Sequence, residues 1–127
     1  MTRVLMAAAL ALLAGAAAAD PAEGVWKTEV DDGSYAHITI APCGPNFCGV
    51  ISRTFNASGE YASPNKGKQL VRDMAPQGGG AYAGSVWRPS NNKVYIGKMQ
   101  VNGNSLKLKG CVAGGLLCSS QTWTRVQ

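Results

Sequence analysis

The chain offers little reactive chemistry, and its four cysteines are the clearest part of it. Cys43 and Cys48 flank Gly44-Pro45-Asn46-Phe47, and Cys111 and Cys118 flank Val112 to Leu117 with Gly114-Gly115 inside. Four thiols can hold zinc or close two disulfides, and four cysteines allow three pairings. The C-x4-C and C-x6-C spacings are not those of the common zinc motifs, so no metal is expected. Each pair brackets a turn-rich tip, which favours local bridges 43–48 and 111–118, with crossed pairings left open. Loops this short give about 2–3 kcal/mol per bridge in the chain-entropy account. These cysteines read as staples on loop tips.

The remaining candidates for catalysis do not assemble. His37 is the single histidine, and its neighbours Tyr35 and Thr39 mark a solvated strand face. Ser34, Ser52 and Ser85 lie in no Gly-x-Ser-x-Gly context. Asp31-Asp32-Gly33 is explained by a turn, and no pair of separated carboxylates is marked as facing a cleft. Gly78-Gly79-Gly80 precedes a strand rather than a helix, unlike a phosphate-cradling loop. The expectation is a protein without catalytic residues or a cofactor.

A disulfide reading requires an oxidising compartment, and the start of the chain supplies one. Arg3 precedes a run from Val4 to Ala19 that is apolar except for Gly15 and ends in Ala17-Ala18-Ala19. That pattern predicts a secretory signal over residues 1–19, cleaved before Asp20, and a periplasmic product. The segment holds 16 of 58 apolar residues, leaving 42 of 108, or about 39%, and a net charge of +4 (11 basic, 7 acidic). Residues 20–127 are enough for one domain, and no second apolar run reaches the roughly 18 residues of a membrane span. Nucleic-acid binding would want more charge and aromatics arranged for stacking. So low an apolar share makes stapled turns and sheet closure plausible supports for a small core.

Alternation in the mature part has a period of two. Candidate strands are 24–29, 35–41, 47–53, 69–74, 81–88, 93–101, 105–111 and 121–126, and no window of eleven residues shows a helical period. Ile38 and Ile40 share one face of their strand, as do Leu106 and Leu108, with Lys107 and Lys109 opposite. Asn102-Gly103-Asn104 is a strong hairpin signal. Residues 54–67 are polar and read as one long loop. The fold class is all-β and antiparallel, with about eight strands forming a sandwich or a closed barrel. An eight-stranded barrel is either filled by side chains or holds one small ligand.

Gly24-x-Trp26-Lys27-Thr28, Ile40-Ala41-Pro42-Cys43-Gly44-x-x-x-Cys48-Gly49 and Gly110-Cys111-Val112 through Cys118 to Gln121-Thr122-Trp123-Thr124-Arg125-Val126 resemble an exported bacterial family, domain of unknown function 2147. The resemblance spans Gly24 to Val126 and implies a lipocalin-like barrel in the periplasm, with no established activity or ligand. In the middle of the chain only Pro64-Asn65 and Arg72 match loosely. Lipocalins pair a Gly-x-Trp on the first strand with a basic residue on the last, and Gly24-Val25-Trp26 with Arg125 is similar. Trp26, Trp123 and Arg125 are therefore expected to close one end of the barrel, a guanidinium over an indole contributing roughly 0.5–2 kcal/mol.

Two function classes follow. The first is a monomeric periplasmic binding barrel for a small apolar or amphipathic ligand, lined by Phe47, Tyr82, Trp87, Tyr95 and Met99. Tyr82 and Tyr95 lie on neighbouring predicted strands and are expected to meet across the sheet. The second is an envelope interaction protein acting through residues 54–67 and its basic outer surface. In that reading Lys98, Lys107 and Lys109 share an outer face suited to an anionic envelope component.

Overall fold

The computed structural model describes residues 19–127, so the predicted export segment lies outside the described residues apart from Ala19. Among the described residues nine strands form one antiparallel sheet: β1 (Gly24–Lys27), β2 (Tyr35–Cys43), β3 (Asn46–Asn56), β4 (Gly59–Tyr61), β5 (Gln69–Gly78), β6 (Ala81–Arg88), β7 (Lys93–Asn102), β8 (Ser105–Val112) and β9 (Leu117–Arg125). Their order is β2-β1-β9-β8-β7-β6-β5-β3-β4, and β2 also pairs with β3. That last pairing closes eight strands into a barrel and leaves β4 as a short flap on β3. Closure removes the free edges that eight short strands would otherwise present. The strand count left a sandwich or a closed barrel open, the family resemblance implied the barrel, and the structure has the barrel.

Several boundaries differ from the sequence reading: β5 runs on to Gly78 rather than ending at Met74, and two other differences change the architecture. Residues 54–67 are not one loop, because β3 continues to Asn56 and turns back through Gly59 into β4. Polar atoms hold that hairpin: Arg53 donates to both Glu60 carboxylate oxygens at 2.9 and 2.6 Å, and the Thr54 hydroxyl donates to the Tyr61 carbonyl at 2.5 Å. The final strand begins at Leu117 rather than Gln121, since Cys118 stands opposite Cys111 in the β8–β9 register. Both disulfides are local: Cys43–Cys48 spans 5.7 Å between Cα atoms and Cys111–Cys118 spans 4.1 Å.

The register defines two ends. At one lie residues 20–23, the 43–48 bridge, the Asn102–Ser105 turn and the C-terminus. At the other lie the β1–β2, β6–β7 and β8–β9 connections and the β3–β4–β5 excursion. The first end is plugged. Trp26 is fully buried, its indole N–H donates to the Ala22 carbonyl at 2.9 Å, and the Arg125 guanidinium stacks 4.3 Å from its ring. Ile38, Ile40, Val71, Met74 and Leu106 fill the interior behind it.

Between Arg72 and Ala75, β5 carries an extra residue relative to β6, with Asp73 at φ 49°. Gly84 lies opposite this bulge. A Cβ there would sit 2.6 Å from the carbonyl oxygens of both Arg72 and Asp73, so the bulge and the glycine require each other.

Candidate functional site

Toward the unplugged end the interior opens into a cavity of about 800 Å³. Inward-facing apolar groups form its depth: Ile51, Val86, Leu108 and Trp123 are buried, with Ala36 and Tyr95 packed beside them. Polar groups sit on this apolar wall with their bonding already satisfied. The Trp123 indole donates to Gln121 Oε1 at 2.5 Å, and Asn91 Nδ2 donates to the Tyr95 hydroxyl at 2.7 Å. Thr54 is the buried polar residue here, and its hydroxyl is committed to the β4 carbonyl.

The mouth is bridged by the β1–β2 connection. Asp31 pairs with Arg88 at 3.2 Å, and Glu29 accepts the Thr122 backbone N–H at 2.5 Å, tying the connection to β6 and β9. Asp32 and Gly33 take φ values of 53° and 75° in the tight turn between Asp31 and Ser34. The two aspartates thus serve the turn and the mouth bridge rather than forming a carboxylate pair. Cys43, Cys48 and Asp73 place potential metal-binding atoms close together, but both sulfurs belong to a disulfide and offer no thiolate.

Trp26 and Arg125 thus plug one end of an eight-stranded barrel whose other end opens into the cavity. The sequence pattern of a family described as an uncharacterized protein conserved in bacteria, DUF2147, matches residues 24–125. The chain belongs to the DUF2147 family. Among solved structures, this DUF2147 barrel is similar to protein HP1028 from Helicobacter pylori, a member of the lipocalin family. That likeness has a TM-score of 0.64 and 17% identity, covering 83% of this chain and 82% of that one. Echinococcus granulosus fatty-acid-binding protein 1 aligns with a TM-score of 0.49 and 14% identity, over 84% of this chain and 98% of that one. The first likeness concerns the fold. No curated protein matches the sequence.

The DUF2147 structure separates the residues singled out from sequence. Of the five proposed lining residues, Trp87 and Tyr95 line the cavity. Phe47, Tyr82 and Met99 lie in the packed half, where the Phe47 and Tyr82 rings meet edge-to-face at 5.9 Å. Burial and a hydrogen bond to the Asp20 carboxylate push the Tyr82 phenol well above its ordinary range. Tyr82 and Tyr95 do not meet: Tyr82 faces Met99 and Tyr95 faces Val86.

Trp87 lines the mouth where β6 ends and belongs to the buried core cluster, with the exposed Val94 as its register partner on β7. It is buried there under cations, with Lys68 Nζ 5.6 Å and the Arg72 guanidinium 5.9 Å from its ring, and its indole donates to Asn92 Oδ1 at 2.9 Å.

The three proposed closing residues divide between the two halves. Trp26 and Arg125 are register partners at the plug, while Trp123 faces the cavity. His37 is far from this chemistry, on the outer wall among Lys27, Arg53 and Phe55. Partial burial, then the Arg53 and Lys27 charges, hold its imidazole below the ordinary 6.5.

Sequence reasoning did not find the Arg88–Asp31 bridge or the cavity role of Ala36 and Ile51. Inward parity on the open-end half of each strand would have marked the latter two. It also missed a reciprocal turn at residues 20–23. There the Asp20 carboxylate accepts the Ala22 N–H and the Glu23 carboxylate accepts the Asp20 N–H, both at 2.9 Å, a capping-box arrangement.

Proposed function

We propose that this DUF2147 protein is a non-catalytic, monomeric binding barrel of the periplasm that takes one small apolar or amphipathic ligand through its open end. The observation that carries the reading is the cavity of about 800 Å³, within the roughly 300–1,000 Å³ of ordinary ligand pockets, with an apolar wall and polar groups at its mouth. Apolar walls favour an apolar body, and the Arg88–Asp31 pair at the mouth suits a polar end. A barrel packed solid at both ends would have spoken against any ligand.

Titration with the fluorescent apolar anion 1-anilinonaphthalene-8-sulfonate tests this directly. The expected result is saturable binding of one probe per chain, with energy transfer from the tryptophans. Absence of saturable binding, together with no retained small molecule by native mass spectrometry, overturns the reading. That outcome would favour action through the basic outer surface and residues 54–67.

Export and cleavage before Asp20 form part of the proposal. The disulfides fit an oxidising compartment, and the capping-box turn begins at Asp20 itself. N-terminal sequencing of the protein recovered from the periplasm is expected to start at Asp20. Recovery only of unprocessed chain from the cytoplasm would refute it.

A further inference from the structure

The rim of the open end carries exposed apolar surface: Val30, Val112 and Leu117 border the cavity mouth, and Leu116 stands outside it. Leu116 is 85% exposed, Leu117 66% and Val112 47% at the β8–β9 tip, and Val30 across the mouth is 68% exposed. Isolated exposed leucines are ordinary, but four large apolar groups around one opening mark a contact surface. The tip is also built to stand out. Ala113, Gly114 and Gly115 all have positive φ in a single 3-10 turn, Leu116 N–H donates back to the Ala113 carbonyl at 3.3 Å, and the Cys111–Cys118 bridge clamps the base.

Cations flank this tip on the same hairpin. Lys98 stands opposite Lys109 in the β7–β8 register, and Lys107 lies two residues further from the tip. All three are exposed. Among the described residues the ion pairs are Arg53–Glu60 and Arg88–Asp31, so none of these lysines is neutralised by a carboxylate. Lys98 leans toward the tip, so that a methyl added to Gly115 would lie 3.4 Å from its Nζ.

We propose that the open end docks on an anionic lipid bilayer, with Leu116 and Leu117 entering the headgroup–acyl boundary and Lys98, Lys107 and Lys109 meeting lipid phosphates. The spacing fits: Lys109 lies three residues behind Val112, about 10 Å along an antiparallel strand. Interfacial apolar groups bury about 5–10 Å, which brings that lysine to headgroup level when the leucines are seated. A soluble polyanion would use the lysines alone, and a second copy of the chain would use the leucines alone. Their adjacency on one rigid hairpin matches a surface that is apolar below and anionic above. The docking does not require the cavity to be occupied.

Sedimentation of the mature chain with vesicles checks this, using equal parts phosphatidylglycerol and phosphatidylcholine against pure phosphatidylcholine. Binding is expected to the anionic vesicles and to weaken with salt, with about fivefold lost for each lysine replaced in Lys98→Gln and Lys109→Gln. Leu116→Ser with Leu117→Ser is expected to lower vesicle affinity at least tenfold while leaving the melting temperature unchanged, and Leu116→Ser alone, outside the cavity lining, to weaken vesicle binding while leaving 1-anilinonaphthalene-8-sulfonate binding unchanged. These side chains are solvent-exposed, so the variant folds. Three results would overturn the proposal: unaltered vesicle binding by the double serine variant, no sedimentation of the parent chain with either vesicle, or a dimer in solution that the double variant dissolves. Loss of probe binding in the parent chain would strike the cavity reading and leave this one standing.

Discussion

Arg125→Ala is expected to lower the melting temperature by about 10–20 °C, the counterpart of roughly 2–3 kcal/mol in a domain of this size. The guanidinium does several jobs at once. Its Nη1 donates to the Glu23 carbonyl at 2.8 Å, its Nη2 donates to the Pro21 carbonyl at 2.6 Å, and its plane covers the buried Trp26 ring. Hydrogen bonds from a charged group contribute about 1.5–3 kcal/mol each, and the stacking about 0.5–2 kcal/mol. Because they share one side chain and lie near solvent that can replace part of the bonding, their sum overstates the loss. Gly24 belongs to the same unit: a Cβ there would lie 2.6 Å from Arg125 Nη1 and 2.3 Å from the Gln127 carbonyl oxygen. The Gly24-x-Trp26 pairing with Arg125 is thus a steric and electrostatic lock between the first and last strands. Arg125→Lys keeps a cation over the ring but loses the planar fork, and is expected to recover about half of the loss. A shift below about 0.5 kcal/mol in Arg125→Ala by chemical denaturation would show that the plug does not hold the barrel.

That lock was legible because its residues carry their signal in type and position. The β7–β8 hairpin was equally legible, since Leu106 and Leu108 alternate with Lys107 and Lys109 around a glycine turn. The β3–β4 hairpin was not, because both faces of β4 are exposed and a two-sided polar strand has no alternation to read. Trp87 was legible as a lining residue from its size and apolar character, but the Lys68 and Arg72 cations over its ring were not, because they reach it from another strand and the segment before it. The cavity was the least visible feature, since empty space is written in no residue. It arises where Ala36 and Gly110 leave the inward positions of β2 and β8 small, while the packed half is filled by Met74, Tyr82 and Met99.

That origin in small side chains gives the sharpest test of function. Ala36→Trp is expected to abolish probe binding, raising the dissociation constant at least tenfold, or about 1.4 kcal/mol, while changing stability by less than about 1 kcal/mol. Ala36 stands on β2 opposite Thr54 and borders the cavity together with Ile51 and Trp123. An indole there enters open volume rather than packed core, so overpacking strain is small and ligand space is lost. The same substitution at Val101 makes the contrast. Val101 is 6% exposed in the packed half, where an indole has no room, and Val101→Trp is expected to cost about 1–3 kcal/mol. Molecules of that variant that remain folded should keep their probe affinity. Isothermal titration for binding and chemical denaturation for stability separate the two effects. If Ala36→Trp binds the probe as tightly as the parent chain, the ligand site lies outside the barrel, whatever its fold resembles.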